Sequence, residues 1–135
     1  MSTRIRSEIS RSKLYHLPKH RQLELVHFCL QYPMWRQMLS TIDGYSSGSA
    51  VHKAPDKDGY AGSLVEDAAE ERARLSDKMA MVEVSAKAAA DDLAAYLLRG
   101  VTEGVGYDAL GIPCCKEVYY RMYRHFFWLL DKVRG

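Results

Sequence analysis

No apolar run in this 135-residue chain approaches the roughly 18 residues that a membrane-spanning helix needs, which argues against insertion in a bilayer. Cysteine is scarce. The three thiols, Cys29 and the adjacent Cys114 and Cys115, cannot make an even disulfide framework, and the first thirty residues lack the apolar core of a secretory signal. The chain therefore reads as cytoplasmic, with reduced thiols. A charge excess is missing too: 19 Lys and Arg against 17 Asp and Glu leave a net +2, too little by itself to announce a nucleic-acid partner. There is no phosphate-cradling glycine loop and no nucleophile elbow. The Cys114-Cys115 pair lacks the two-residue gap of a redox or zinc pair. Catalysis has no visible seat, so the chain is read as a non-enzyme with no cofactor and no metal. Cys29 reads as a small buried hydrophobe rather than a ligand beside His27.

What is present fits an ordinary globular domain, with 47% hydrophobic and 27% charged residues, long enough to bury a core. The charge is unevenly spread. Residues 1–21 hold Arg4, Arg6, Arg11, Lys13, Lys19 and Arg21 against Glu8, a net of +5. Residues 63–93 hold eight acids against Arg72, Arg74, Lys78 and Lys87, a net of −4. A basic end suits contact with phosphates, while an acidic middle faces away from them.

The pattern along the chain is helical throughout, predicting an all-α fold with a long linking helix and a C-terminal helix-turn-helix. The first 18 residues read as a basic arm ending at Pro18. Helical spacing then runs from Lys19 to Ile42, with Leu23, Val26, Leu30, Trp35, Met38, Leu39 and Ile42 as its stripe. Pro33 either kinks this helix or ends it and restarts it with proline in the new first turn. Residues 43–62 are rich in glycine and serine and read as a long flexible loop. Ser63-Leu64-Val65-Glu66 reads as a capping box opening a helix to about Ala90. Its apolar side is Leu64, Ala68, Leu75, Met79, Val82 and Ala86. Two parts follow: residues 1–62, the arm, interrupted helix and loop; and residues 63–135, the long helix and the terminal motif.

Asp91 or Asp92 offers a cap to the next helix, which buries Leu93, Tyr96, Leu97 and Val101 before Gly104 and Gly106 stop it. Tyr107 to Leu110 is a short helix. Gly111 then permits a positive φ, and Pro113 suits the first turn of a closing helix. Wound at 100° per residue, that helix puts Cys115, Val118, Tyr119, Met122, Phe126, Leu129 and Val133 inward. Glu117, Tyr120, Arg121, Arg124, Trp128 and Asp131 fall on the other side. Arginines and an aromatic on the open face of a helix just after a tight turn are what a major-groove reader requires. The same residue types are enriched at protein interfaces, so a protein-binding face is the plainer alternative.

The order of QYPMWRQML (Gln31 to Leu39), AAEERARLSDKMAMVE (Ala68 to Glu83) and IPCCKEVYYRMYRHFFWLLDK (Ile112 to Lys132) resembles the phage late-gene regulators of the RinA and ArpU type. Their C-terminal part is like region 4 of a sigma factor. The resemblance implies a DNA-binding transcriptional regulator of phage or prophage origin, without enzymatic activity. Its contacts would fall on Lys116, Tyr120, Arg121 and Arg124. Double-stranded DNA is the expected partner, with RNA polymerase and a second copy of the chain as further candidates. The alternatives are the DNA-recognition small subunit of a phage terminase and a non-enzymatic protein–protein adaptor.

Overall fold

The computed structural model describes residues 15–52 and 60–135. Among these no strand occurs, and the chain is all-helical. The helices are α1 (Lys19–Leu30), α2 (Tyr32–His52), α3 (Tyr60–Ala90), α4 (Ala94–Glu103), α5 (Tyr107–Leu110) and α6 (Lys116–Arg134), with a single 3₁₀ turn at Asp91–Leu93. They form two compact units. The described part of Met1–Leu30 joins Met81–Gly135 in one, and Gln31–Ala80 makes the other.

Pro33 acts as a restart. Lacking an N–H, it cannot continue the ladder of α1. The chain turns at Gln31, and the Trp35 amide bonds the Gln31 carbonyl at 2.9 Å to open α2. Trp35 and Leu75 are buried in this unit, and the Lys78 ammonium lies 5.6 Å from the Trp35 ring centroid. Helix α2 runs on to His52, ten residues into the stretch expected as a loop; residues 53–59 lie outside the described part. Glycine and serine cost a helix about 0.5–1 kcal/mol each, too little to forbid one. Arg72 Nε of α3 donates to Asp43 Oδ1 of α2 at 2.9 Å, an exposed pair at the start of that stretch. Helix α3 begins at Tyr60, so the Ser63–Glu66 box lies inside the helix rather than at its start.

The other unit is built around α4, which packs on α1 and α6. Its buried residues are Leu97, Gly100, Val101 and Thr102, and the Thr102 hydroxyl donates to the Leu98 carbonyl at 2.7 Å. Tyr96 is exposed rather than buried. Neither aspartate caps α4, because an N-cap needs extended backbone and Asp91 holds φ +48 to turn the chain after α3. Gly104 ends α4 in the left-handed region at φ 68, a conformation that costs other residues about 1–2 kcal/mol. In α1 the buried set is Leu25, Phe28 and Cys29, while Leu23 and Leu30 are exposed. The expected stripe was one helical position off. The Arg134 guanidinium caps this core from the end of α6, 3.9 Å above the Phe28 ring. Arg21 of α1 donates through Nε to Asp131 Oδ1 at 2.5 Å.

Candidate nucleic-acid interface

The closing segment is assembled by tyrosines. Gly111 takes φ 67 and lets the chain reverse after the single turn of α5. The Tyr107 hydroxyl then donates to the Cys114 carbonyl at 2.5 Å, tying α5 to the start of α6. Helix α6 begins at Lys116, with Cys115 at its N-cap and no side-chain cap bond. Pro113 therefore stands before the helix rather than in its first turn. Between them the Cys114 amide turns back to the Ile112 carbonyl at 2.9 Å, and Ile112 is buried.

The buried face of α6 is Tyr119, Phe126, Phe127 and Leu130. Relative to the expected arc it is rotated by about 70° at 100° per residue, with Cys115 and Val133 exposed. The cause is visible in the ring contacts. Tyr119 meets Tyr107, Tyr120 and Tyr123 at centroid distances of 5.7, 5.0 and 6.1 Å, and Tyr123 meets Phe127 edge-on at 4.9 Å. Such aromatic pairs add about 0.5–1.5 kcal/mol each beyond area burial, so the tyrosine side outweighs Cys115, Val118 and Val133. Burial, with the neighbouring Tyr123 and Tyr120 adding to it, pushes the Tyr119 phenol from its usual 10.0 up to about 12.

Three of the four expected contact residues, Lys116, Arg121 and Arg124, are exposed on α6, and Tyr120 is half-buried. All four come from the first half of one helix. The rotation separates them by role: Tyr120 turns toward a small cavity of about 250 Å³ shared with Gly100, Tyr107 and Tyr119, while Arg121 stands outermost. None of the three cations has an acidic partner among the described residues. Glu117, the acid in the first turn, sits favourably at the positive helix end.

Sequence reasoning missed Tyr15. Its ring stacks on His125 at 4.4 Å and 20° and meets Trp128 edge-on at 5.5 Å, on the outward side of α6. The Lys132 ammonium covers Trp128 at 4.4 Å. The available signal was a lone aromatic in a polar arm, directly before His16-Leu17-Pro18. Residues 15–17 also wall a groove of about 410 Å³ with Gln22, Val26, Tyr123 and Arg124.

Among the described residues no group of three His, Cys, Asp or Glu side chains could hold a metal ion, and no helix is long and apolar enough to cross a membrane. Cys29 is fully buried, as its sequence context suggested. Compared with known proteins, the chain matches no family model, no curated protein and no solved structure.

Proposed function

We propose that this chain is a sequence-specific, non-enzymatic DNA-binding regulator of transcription, of phage or prophage origin, that reads the major groove with the first half of α6. The observation that carries the reading is that Lys116, Arg121 and Arg124, all exposed on α6, have no acidic partner among the described residues. Elsewhere in the same unit Arg21 and Arg99 are matched by carboxylates, Arg21 by Glu24 and Asp131 and Arg99 by Glu103. Three solvated cations on one helix half contribute little to folding, but they suit a polyanion. Lys116 to Arg124 covers about 12 Å of helix axis at 1.5 Å per residue, close to the width of about 12 Å of the major groove.

In this reading α4, α5 and α6 act as a helix-turn-helix whose first helix is a single turn, backed by α4. The resemblance to the RinA and ArpU type supplies the phage setting and RNA polymerase as a candidate second partner, and the reading places the chain in the cytoplasm on its cysteine usage. The test is binding to fragments of the source DNA with competitor present. Arg121→Ala or Arg124→Ala should cost about 1–3 kcal/mol on the preferred site and relax discrimination there. Lys116→Ala should weaken all sequences alike and lower the salt slope by about one unit. Three variants that fall equally on specific and random DNA would leave a basic patch and no reader.

A further inference from the structure

Four tyrosines, Tyr107, Tyr119, Tyr120 and Tyr123, line a cavity of about 250 Å³ against Gly100 and Gly104. That is below the roughly 300–1,000 Å³ of a drug-sized pocket, so a small group fills it. The rings are mutually inclined, by 75° for Tyr119 and Tyr120, 66° for Tyr120 and Tyr123, and 49° for Tyr119 and Tyr123. None of these pairs is parallel, so they form no slot for a flat ring and suit a compact, rounded group. Two of the hydroxyls are already engaged. That of Tyr107 donates to the Cys114 carbonyl at 2.5 Å, and that of Tyr119 is packed against Gly100. What remains to the cavity is largely ring surface.

The charge of the group follows from its surroundings. Aromatic faces are negative. Gly100 lies in the last turn of α4 and Gly104 caps it, and a helix C-terminus is the negative end of the dipole, with carbonyls that lack intrahelical partners. The lining holds no Lys, Arg or His to answer that potential. Nor does it hold a carboxylate, the ligand a hard metal ion requires. Elsewhere in this unit Lys132 covers Trp128 and Arg134 covers Phe28, but among the described residues no cation lies over these four tyrosines. Burial raises the phenols of Tyr107, Tyr119 and Tyr123, which keeps them uncharged at neutral pH. We infer that the cavity binds a small organic cation, a quaternary ammonium head group, held by the tyrosine rings and the C-terminal end of α4. Methyl groups on the nitrogen replace the N–H donors of a lysine-type ammonium, so no donor is stranded among the rings.

The inference does not rest on what α6 binds, and it is tested on the full-length protein without DNA. The probe is choline, titrated against sodium chloride at equal ionic strength. The readout is the backbone amide resonances of Gly104, Val105 and Gly106, which border the cavity. Choline should shift them saturably. A neutral isostere, the alcohol with a tert-butyl group in place of the trimethylammonium, should bind at least about tenfold more weakly. Tyr120→Phe keeps the ring and should keep the affinity, whereas Tyr120→Leu should lower it about 2- to 30-fold. Tyr107→Leu should do the same and covers the case in which Tyr120→Leu folds poorly. A short peptide with a trimethylated lysine identifies the source: binding tighter than choline assigns a modified side chain, and weaker binding a free small molecule. Equal affinity for choline and its isostere, shifts no larger than sodium chloride produces, or full affinity in both leucine variants overturns the inference.

Discussion

Alanine at Gly100 sets two local effects against each other. A Cβ built there collides with the hydroxyl oxygen of Tyr119 and comes within 3.2 Å of Leu110 Cδ1 and 3.4 Å of the Val105 carbonyl oxygen. The Tyr119 ring cannot swing away, because it is buried and flanked by Tyr107, Tyr120 and Tyr123. Glycine to alanine within a helix would otherwise gain about 1 kcal/mol in propensity. Overpacking a fixed neighbour costs about 1–3 kcal/mol. The net expectation is a loss of up to about 2 kcal/mol, which for a chain of this size lowers Tm by up to roughly 8 °C. Tyr119→Phe withdraws the colliding oxygen. In that background Gly100→Ala should be neutral or stabilising, so the two changes should couple by about 2 kcal/mol. Denaturant unfolding of the four proteins, followed by circular dichroism and by Trp128 fluorescence in a background in which Trp35 is replaced by Phe, gives the cycle. Strict additivity, or a Gly100→Ala protein more stable than the parent, would refute the claim that Gly100 exists to admit Tyr119.

Phe126 is fully buried on α6, so Phe126→Ala should cost about 3–5 kcal/mol through lost transfer energy and a residual cavity; an unchanged thermal transition would show the helix turned otherwise. Burial pushes the Cys29 thiol from 9.0 up to about 12, with Arg134 opposing it, and pushes Tyr119 from 10.0 to about 12. Both groups hold their protons more tightly when folded, so their contribution to stability is complete below about pH 9 and lost as pH rises toward 12. The unfolding midpoint should fall steeply across that window, and Cys29→Ala should flatten the lower part of the fall. Thiol-specific reagents should label Cys115 first, the half-buried Cys114 next, and Cys29 only at the rate of unfolding; equal rates for all three would contradict the burial.

Helix content and the punctuation of the last third were legible because they depend on local chemistry. Gly104 and Gly111 do adopt left-handed backbone, Tyr107–Leu110 is a separate turn, and Pro33 restarts a helix. The capping readings at Ser63 and Asp91 failed for a shared reason. A cap motif marks where a helix can start; here α3 is already helical at Tyr60, and Asp91 holds a positive φ at the head of a 3₁₀ turn. The glycine-serine stretch is helical through its first ten residues, where the composition pointed to a loop, because the propensity penalty of such residues is only about 0.5–1 kcal/mol each. Facing was the least legible feature. Apolar periodicity ranks valine, methionine and cysteine with phenylalanine, but a tyrosine that finds ring partners on neighbouring turns buries more area per residue.

That mis-facing has a functional consequence for the four residues singled out on α6. With the expected arc, Tyr120, Arg121 and Arg124 would have faced a duplex together, and Trp128 would have stood among them. With Tyr119, Tyr123 and Phe127 turned inward, Tyr120 follows them toward the cavity beside Gly100, and Trp128 is taken up by Tyr15 and Lys132. Arg121 is left as the outermost cation, and Arg124 stands in the groove with His16 and Gln22. If α6 is the groove helix, a guanidinium held at the rim of a groove that also presents Leu17, Val26 and Tyr123 has less reach than one free on the crest of the helix, which is suited to a base edge. Of the two substitutions, Arg121→Ala should therefore relax sequence discrimination more than Arg124→Ala does, and equal relaxation in binding to specific and random duplexes would refute the difference.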